Sequence, residues 1–125
     1  MKPLRIDHWV LICQDLNKTL DFYCNILGLR HECKNGHHSV HLGEQKINIH
    51  TQQGEFTPFA KNPQIGCEDF CLIADGNIHD IRNELKNKGI TLETDIVERN
   101  GALGKMDSIY LRDPDGNLVE IAVYR

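Results

Sequence analysis

The first fifty residues change period twice. The stretch IDHWVLIC alternates as a strand does, and DLNKTLDFYCNILG then takes a helical spacing. In the helical stretch Leu16, Leu20, Tyr23 and Leu27 share one face, Asp15 suits the N-cap and Gly28 suits the C-terminal stop. HHSVHLGEQKINIHTQ follows as a predicted β-hairpin turning near Gly43, Glu44 and Gln45. The result is a β-α-β-β unit.

The second half repeats the order. EDFCLIAD predicts a strand, and NIHDIRNELKNKG predicts a helix capped by Asn77, with Ile78, Ile81 and Leu85 on one face and Gly89 as its stop. DSIYLRD and NLVEIAVY predict two strands around the turn Asp113, Pro114, Asp115 and Gly116, and ERNGALGKMD is expected as a loop before the seventh strand. Further short strands are expected near 30–34 and 91–97. Superposing Gly28 on Gly89 gives an offset of 61 residues, which carries His8 onto Asp69; beyond the helices an offset of 70 pairs His50 with Glu120. The expected fold is α+β, a single domain of two tandem βαβββ modules, about 4–57 and 67–125, whose mixed sheets curl around a shared space.

Alternation also sorts side chains onto faces. Trp9, Leu11 and Cys13 oppose His8, Val10 and Ile12; Ile47 and Ile49 oppose Asn48 and His50. Phe70, Leu72 and Ala74 oppose Asp69, Cys71 and Ile73, while Ile109 and Leu111 oppose Ser108, Tyr110 and Arg112. In the last strand Glu120 shares its face with Leu118 and Ala122, a site where an isolated carboxyl stays protonated unless a cation or donor meets it. Each of four strands thus carries one ionisable residue on its second face: His8, His50, Asp69 and Glu120. Any one of them alone also suits a hydrogen-bonded or solvated structural role. Two imidazoles and two carboxylates at related positions of a repeat suit a divalent cation such as Ni²⁺, Co²⁺, Mn²⁺, Fe²⁺ or Zn²⁺. His37, His38 and His41 read as a solvated hairpin, with His41 at a cavity rim, and His31 and His79 as surface residues.

Composition narrows the function classes. The chain is 40% apolar and 26% charged with a formal net charge of −4, and no basic cluster suggests nucleic acid as a partner. The longest apolar run, Trp9 to Cys13, is far too short to span a membrane, and the N-terminus has no secretory signal, so a cytoplasmic location is expected. Five cysteines without a CxxC pair point to reduced thiols, with Cys13 and Cys71 as core or cavity-lining residues.

Two segments, IDHWVLICQDLNKTLDFYCNILGL and IYLRDPDGNLVEI, resemble the vicinal oxygen chelate superfamily of glyoxalase I, fosfomycin-resistance thiol transferases, bleomycin-binding proteins and extradiol dioxygenases. KINIH and SIYLRDPDGNLVEI are most similar to the small single-domain glyoxalase-like proteins, the group of glyoxalase domain-containing protein 5 and bacterial virulence-associated relatives. The resemblance places His8 at the first-strand metal ligand and Glu120 at the last-strand ligand. His50 falls where bacterial glyoxalase I has a carboxylate, and Asp69 where it and the dioxygenases have a histidine. That exchange counts against an iron dioxygenase and against fosfomycin resistance.

The family likeness implies a metal-binding cavity and a lyase or isomerase that binds two neighbouring oxygens of a small substrate and stabilises an enediolate-like or oxyanion intermediate. Glu120 would move the proton, and Ser108, Tyr110 and Arg112 would orient the substrate. The alternative is a non-catalytic protein of bleomycin-resistance type that sequesters a small molecule. A homodimer is expected, with His8 and His50 from one chain and Asp69 and Glu120 from the other.

Overall fold

A computed structural model describes residues 1–125, which divide into two compact units, Met1–Cys67 and Glu68–Arg125. The first unit contains β1 (His8–Ile12), α1 (Leu16–Leu20), β2 (Arg30–Lys34), β3 (His37–Leu42) and β4 (Gln45–His50). The second contains β5 (Asp69–Ile73), α2 (Ile78–Asn87), β6 (Val97–Gly101), β7 (Gly104–Arg112) and β8 (Leu118–Tyr124). Each sheet has four strands, in the orders β1-β4-β3-β2 and β5-β8-β7-β6. The first strand runs parallel to the last in each unit, and the other pairings are antiparallel. The sequence duplication is therefore a duplication of topology.

Local chemistry explains the elements. The Asp15 carboxylate accepts from the Lys18 backbone N–H, and the Asn77 side chain accepts from those of His79 and Asp80, so both helices start on the caps expected. α1 has only five residues and continues as a π-helical turn over Asp21–Ile26, where Leu27 N–H donates to the Phe22 carbonyl. The wider turn coincides with two consecutive buried aromatics, Phe22 and Tyr23, packed edge to face at 4.9 Å. Helical spacing alone selected Tyr23 and passed over Phe22.

One face of each sheet is buried: Leu11, Val40, Ile47 and Ile49 in the first, and Leu72, Ile109, Leu111, Val119 and Ile121 in the second. Each such side chain contributes on the order of 2 kcal/mol by leaving water. The hairpins differ. Asn35 and Gly36 both have positive φ and form the two-residue β2–β3 turn, as an Asn-Gly pair favours. ERNGALGKMD, expected as a loop, instead supplies most of β6 and the start of β7, with Gly101 paired to Gly104. The Tyr124 hydroxyl accepts from Leu103 N–H at 3.1 Å, and Gly101 lies where an added Cβ would strike that phenol and the Met106 sulfur. A side chain from β8 thus closes this hairpin. No helix is long and apolar enough to cross a membrane.

Candidate functional site

In the second unit Glu120 lies at the middle of β8, opposite Cys71 on β5 and Tyr110 on β7. The residue is half-buried, and its Oε1 is buried and accepts no hydrogen bond. Buried polar atoms are nearly always paired, so this oxygen stands out. Desolvation and then the adjacent Glu120 carboxylate push the Cys71 thiol up to about 12, although the side chain keeps an exposed edge. Cys71 is a neutral thiol at physiological pH.

Tyr110 is held from its other side. Arg99 on β6 donates from Nε to the Tyr110 hydroxyl at 2.9 Å and lies 5.4 Å from its ring centre. With Arg99 filling an acceptor position, the phenolic proton of Tyr110 is free to donate elsewhere. Ser108 is fully buried and its hydroxyl has no partner. Arg112 is engaged: Nε donates to Glu93 at 3.1 Å and Nη1 to the Gly116 carbonyl at 3.2 Å. Arg99 was not singled out by sequence, since its segment was expected to be a loop.

The turn before β8 fixes this arrangement. Asp113 Oδ1 accepts from the backbone N–H groups of Asp115 and Asn117 at 2.9 and 3.0 Å, and its Oδ2 accepts from Asn117 Nδ2 at 2.7 Å. Asn117 Oδ1 in turn accepts from Glu68 N–H at 2.9 Å. Both side chains are buried, so the knot ties the β7–β8 turn to the residue preceding β5. Asp69 and Glu120 thereby start from a common anchor. They sit two register positions apart on neighbouring strands, about 7 Å along the chain direction.

In the first unit His8 opens β1, with Nδ1 2.7 Å from Asp7 Oδ2. A carboxylate on one ring nitrogen leaves the other as a donor atom, the usual arrangement for a metal-binding imidazole. His50 ends β4, packs edge-on against Phe56 at 5.0 Å, and is half-buried. Burial lowers its basicity, with His37 adding to the effect against the pull of Glu55.

The register separates these two histidines. His8 is opposite Lys46 and His50 is opposite Ile12, four positions or roughly 13 Å apart along the strands. It also corrects the repeat: Val10 pairs with Asn48 as Cys71 pairs with Glu120, so Asn48, not His50, is the counterpart of Glu120. The offset between the last strands is 72 residues rather than 70.

Beside Val10 and Ile12 of β1, this face of the first sheet is polar on its next two strands, with Lys46, Asn48 and His50 on β4 and His37, Ser39 and His41 on β3. His37 stacks on Phe56 at 4.0 Å, and His41 accompanies Ser39 at 2.9 Å. His38 lies on the opposite face against His31 at 3.0 Å. The hairpin histidines are thus divided between two faces.

The donors suit a divalent ion in kind: an imidazole backed by a carboxylate, a second imidazole with lowered basicity, and a buried carboxylate oxygen without a partner. Nowhere in the chain do three or more histidine, cysteine, aspartate or glutamate side chains gather closely enough to hold a metal ion.

Residues 5–121 match the model of the Glyoxalase/Bleomycin resistance protein/Dioxygenase superfamily. The chain belongs to this superfamily. It is 44% identical over 121 residues to virulence protein STM3117 of Salmonella typhimurium, covering 96% of this chain and 84% of that one. The crystal structure of that relative superposes with a TM-score of 0.97 at 42% identity, over the full length of both chains. Glyoxalase domain-containing protein RDO1 of Mycosarcoma maydis is 39% identical over 120 residues, 96% of this chain and 68% of the relative. Lactoylglutathione lyase from Agrobacterium tumefaciens is a more distant neighbour, with a TM-score of 0.76 and 26% identity over 98% of this chain and 96% of that one. The superfamily includes glyoxalase I-type lyases, and its members commonly bind divalent metals.

Proposed function

We propose that the protein is a glyoxalase-type lyase or isomerase acting on a small substrate that presents two neighbouring oxygens. The observation that carries this reading is the Glu120 carboxylate, with one oxygen buried and unpartnered between Cys71 and Tyr110. On this reading His8, His50, Asp69 and Glu120 are the donors for a divalent ion, Ni, Co, Mn, Fe or Zn, with the Asn48 amide oxygen as the alternative to His50. A bound ion would supply polarisation of the substrate oxygens. Glu120 accepts a proton from the carbon beside them. Tyr110, held by Arg99, donates its hydroxyl proton to a substrate oxygen, and Ser108 lines the same face. Cys71 contributes a neutral wall and no nucleophile.

Calorimetric titration with Ni²⁺ and Mn²⁺ tests the reading. Tight binding near one ion per chain is expected for the wild type, and at least ~10-fold weaker binding for Glu120→Gln and His8→Ala. Titration curves that the two substitutions leave unchanged would remove both residues from the site.

A second reading follows from the bleomycin resistance proteins in the superfamily's name: a metal-independent protein that binds and sequesters a small molecule. Native mass spectrometry of freshly purified protein separates the two, since retained metal supports the lyase and a retained organic ligand without metal supports the binder. The same spectra test the homodimer. That state is supported by exposed Leu4, Ile6 and Val10 along the approach to and course of the edge strand β1.

A further inference from the structure

Two cavities of about 270 and 370 Å³ adjoin on the polar face of the first sheet, and both are lined by Lys34, His37, Lys46 and Asn48. The chain has 18 acids against 14 lysines and arginines, yet the smaller cavity is lined on this face by Lys34, Lys46, His37 and His50 and by no acid. The larger cavity contains one acid, Glu32, which is already neutralised by Arg30 at 3.3 Å, Lys34 at 3.5 Å and His41 at 3.4 Å. Lys46 is half-buried; the one carboxylate that acts on its charge is Asp7, which is already shared with His8 at 2.7 Å and Arg5 at 3.5 Å, and the half-buried Asn48 amide makes no hydrogen bond. The two residues are neighbours on one face of β4, about 7 Å apart along the strand. On β3 His37 lies one register step beyond Ser39, diagonal to Asn48, and is fixed there by its stack on Phe56.

With that carboxylate already held by two other groups, Arg5 and His8, Lys46 has charge left to offer an anion in the trough. Beside an amide N–H₂ and an imidazole N–H, it makes a set of donors with no acceptor charge of its own. We infer that this trough binds an oxyanion group of a small organic ligand, a carboxylate or a phosphate or phosphonate, through Lys46, Asn48 and His37, with Lys34 at the margin. The assignment uses neither His8 nor Glu120, but it takes the Asn48 amide as a donor and so requires that His50, not Asn48, completes any metal site. It implies that the ligand is anionic at neutral pH.

The test is an NMR titration of ¹⁵N-labelled protein with inorganic phosphate and, separately, with succinate, at ionic strength held constant with sodium chloride. Saturable shifts are expected at the Asn48 side-chain amide and the backbone amides of β4, with a Kd on the order of 1 mM for such minimal probes. Saturation by phosphate alone assigns a phosphate-like group, and saturation by succinate alone or by both assigns a carboxylate or a general oxyanion site. Lys46→Met should weaken the better probe at least ~10-fold, with Lys46→Arg restoring most of it; Lys18→Met removes the same charge from α1 and should change nothing. Shifts that remain linear for both probes, or a saturation curve that Lys46→Met leaves in place while its amide spectrum stays folded, would overturn the assignment.

Discussion

The two units share a topology and differ in how they hold it and in what they display. In the second unit the β7–β8 turn is locked from inside by Asp113 and Asn117, both buried and joined to Glu68. The corresponding β3–β4 turn of the first unit, at Gly43 and Glu44, is exposed, and its ties run to the N-terminal segment: Gln45 Nε2 to the Ile6 carbonyl at 2.8 Å and Arg5 Nη1 to the Glu44 carbonyl at 3.2 Å. The open faces diverge as well. At equivalent register positions the first sheet has His8, Asn48 and Ser39 where the second has Asp69, Glu120 and Tyr110. A duplicated scaffold keeps its apolar faces because each must bury against its own unit, whereas the polar faces are free to specialise.

The sharpest break of that comparison is removal of the locked turn. Asn117→Ala strips an acceptor from Glu68 N–H and a donor from Asp113 inside the protein, and should cost roughly 3 kcal/mol in urea unfolding. Gln45→Ala, its nearest analogue in the first unit, breaks one solvated bond and should cost less than about 1 kcal/mol. Equal losses would mean that the two turns are held alike.

The hairpins give a smaller contrast. Gly101→Ala forces Tyr124 or Met106 aside, and Tyr124 is tied to Leu103, so a loss of roughly 2 kcal/mol is expected, with weakened amide protection confined to β6 and β7. Gly36→Ala meets no neighbour and carries only the strain of its positive φ, about 1 kcal/mol.

On the open face of the second unit, Glu120→Gln removes the negative charge opposite Cys71. The thiol pKa should fall, and Cys71 should react severalfold faster with a disulfide reagent at pH 8.5. An unchanged rate would show that desolvation alone sets this thiol.

The smallest effects are in acid titration, where the units should respond with opposite sign. Burial raises Glu68 above its ordinary 4.5, so its ionisation opposes folding as pH rises through the folded value. Glu68→Gln should therefore stabilise at neutral pH and do nothing below about pH 4. Glu32 is lowered, first by its hydrogen bond from Arg30 and further by Lys34 and His41. Its contribution is present above 4.5 and lost as pH falls through the folded value, so Glu32→Gln should destabilise slightly at neutral pH and be silent in strong acid. Melting curves of both variants from pH 3 to 7 check the two signs.

Much of this architecture was legible without coordinates. The switch between two-residue and helical periods located β1, α1, β3, β4, β5, α2 and β8, because burial of one face imposes that pattern whatever the partner. Gly28 and Gly89 stop their helices in positive φ, and Asp15 and Asn77 cap them, since these are local demands of the backbone. The same alternation put Glu120 on the face of Cys71 and Ser108. Alternation determines register only modulo two: a slip of two residues leaves every side chain on its own face. That is why His50 passed for the counterpart of Glu120 until strand pairing put Asn48 there. Arg99 escaped for a related reason, since Gly101 and Gly104 read as loop until the Tyr124 hydroxyl closes the hairpin from a strand more than twenty residues later in the chain. The sequence alone decided which face each residue takes, a property of single strands; which residues meet across strands depends on hydrogen-bond pairing, and only the tertiary structure decided it.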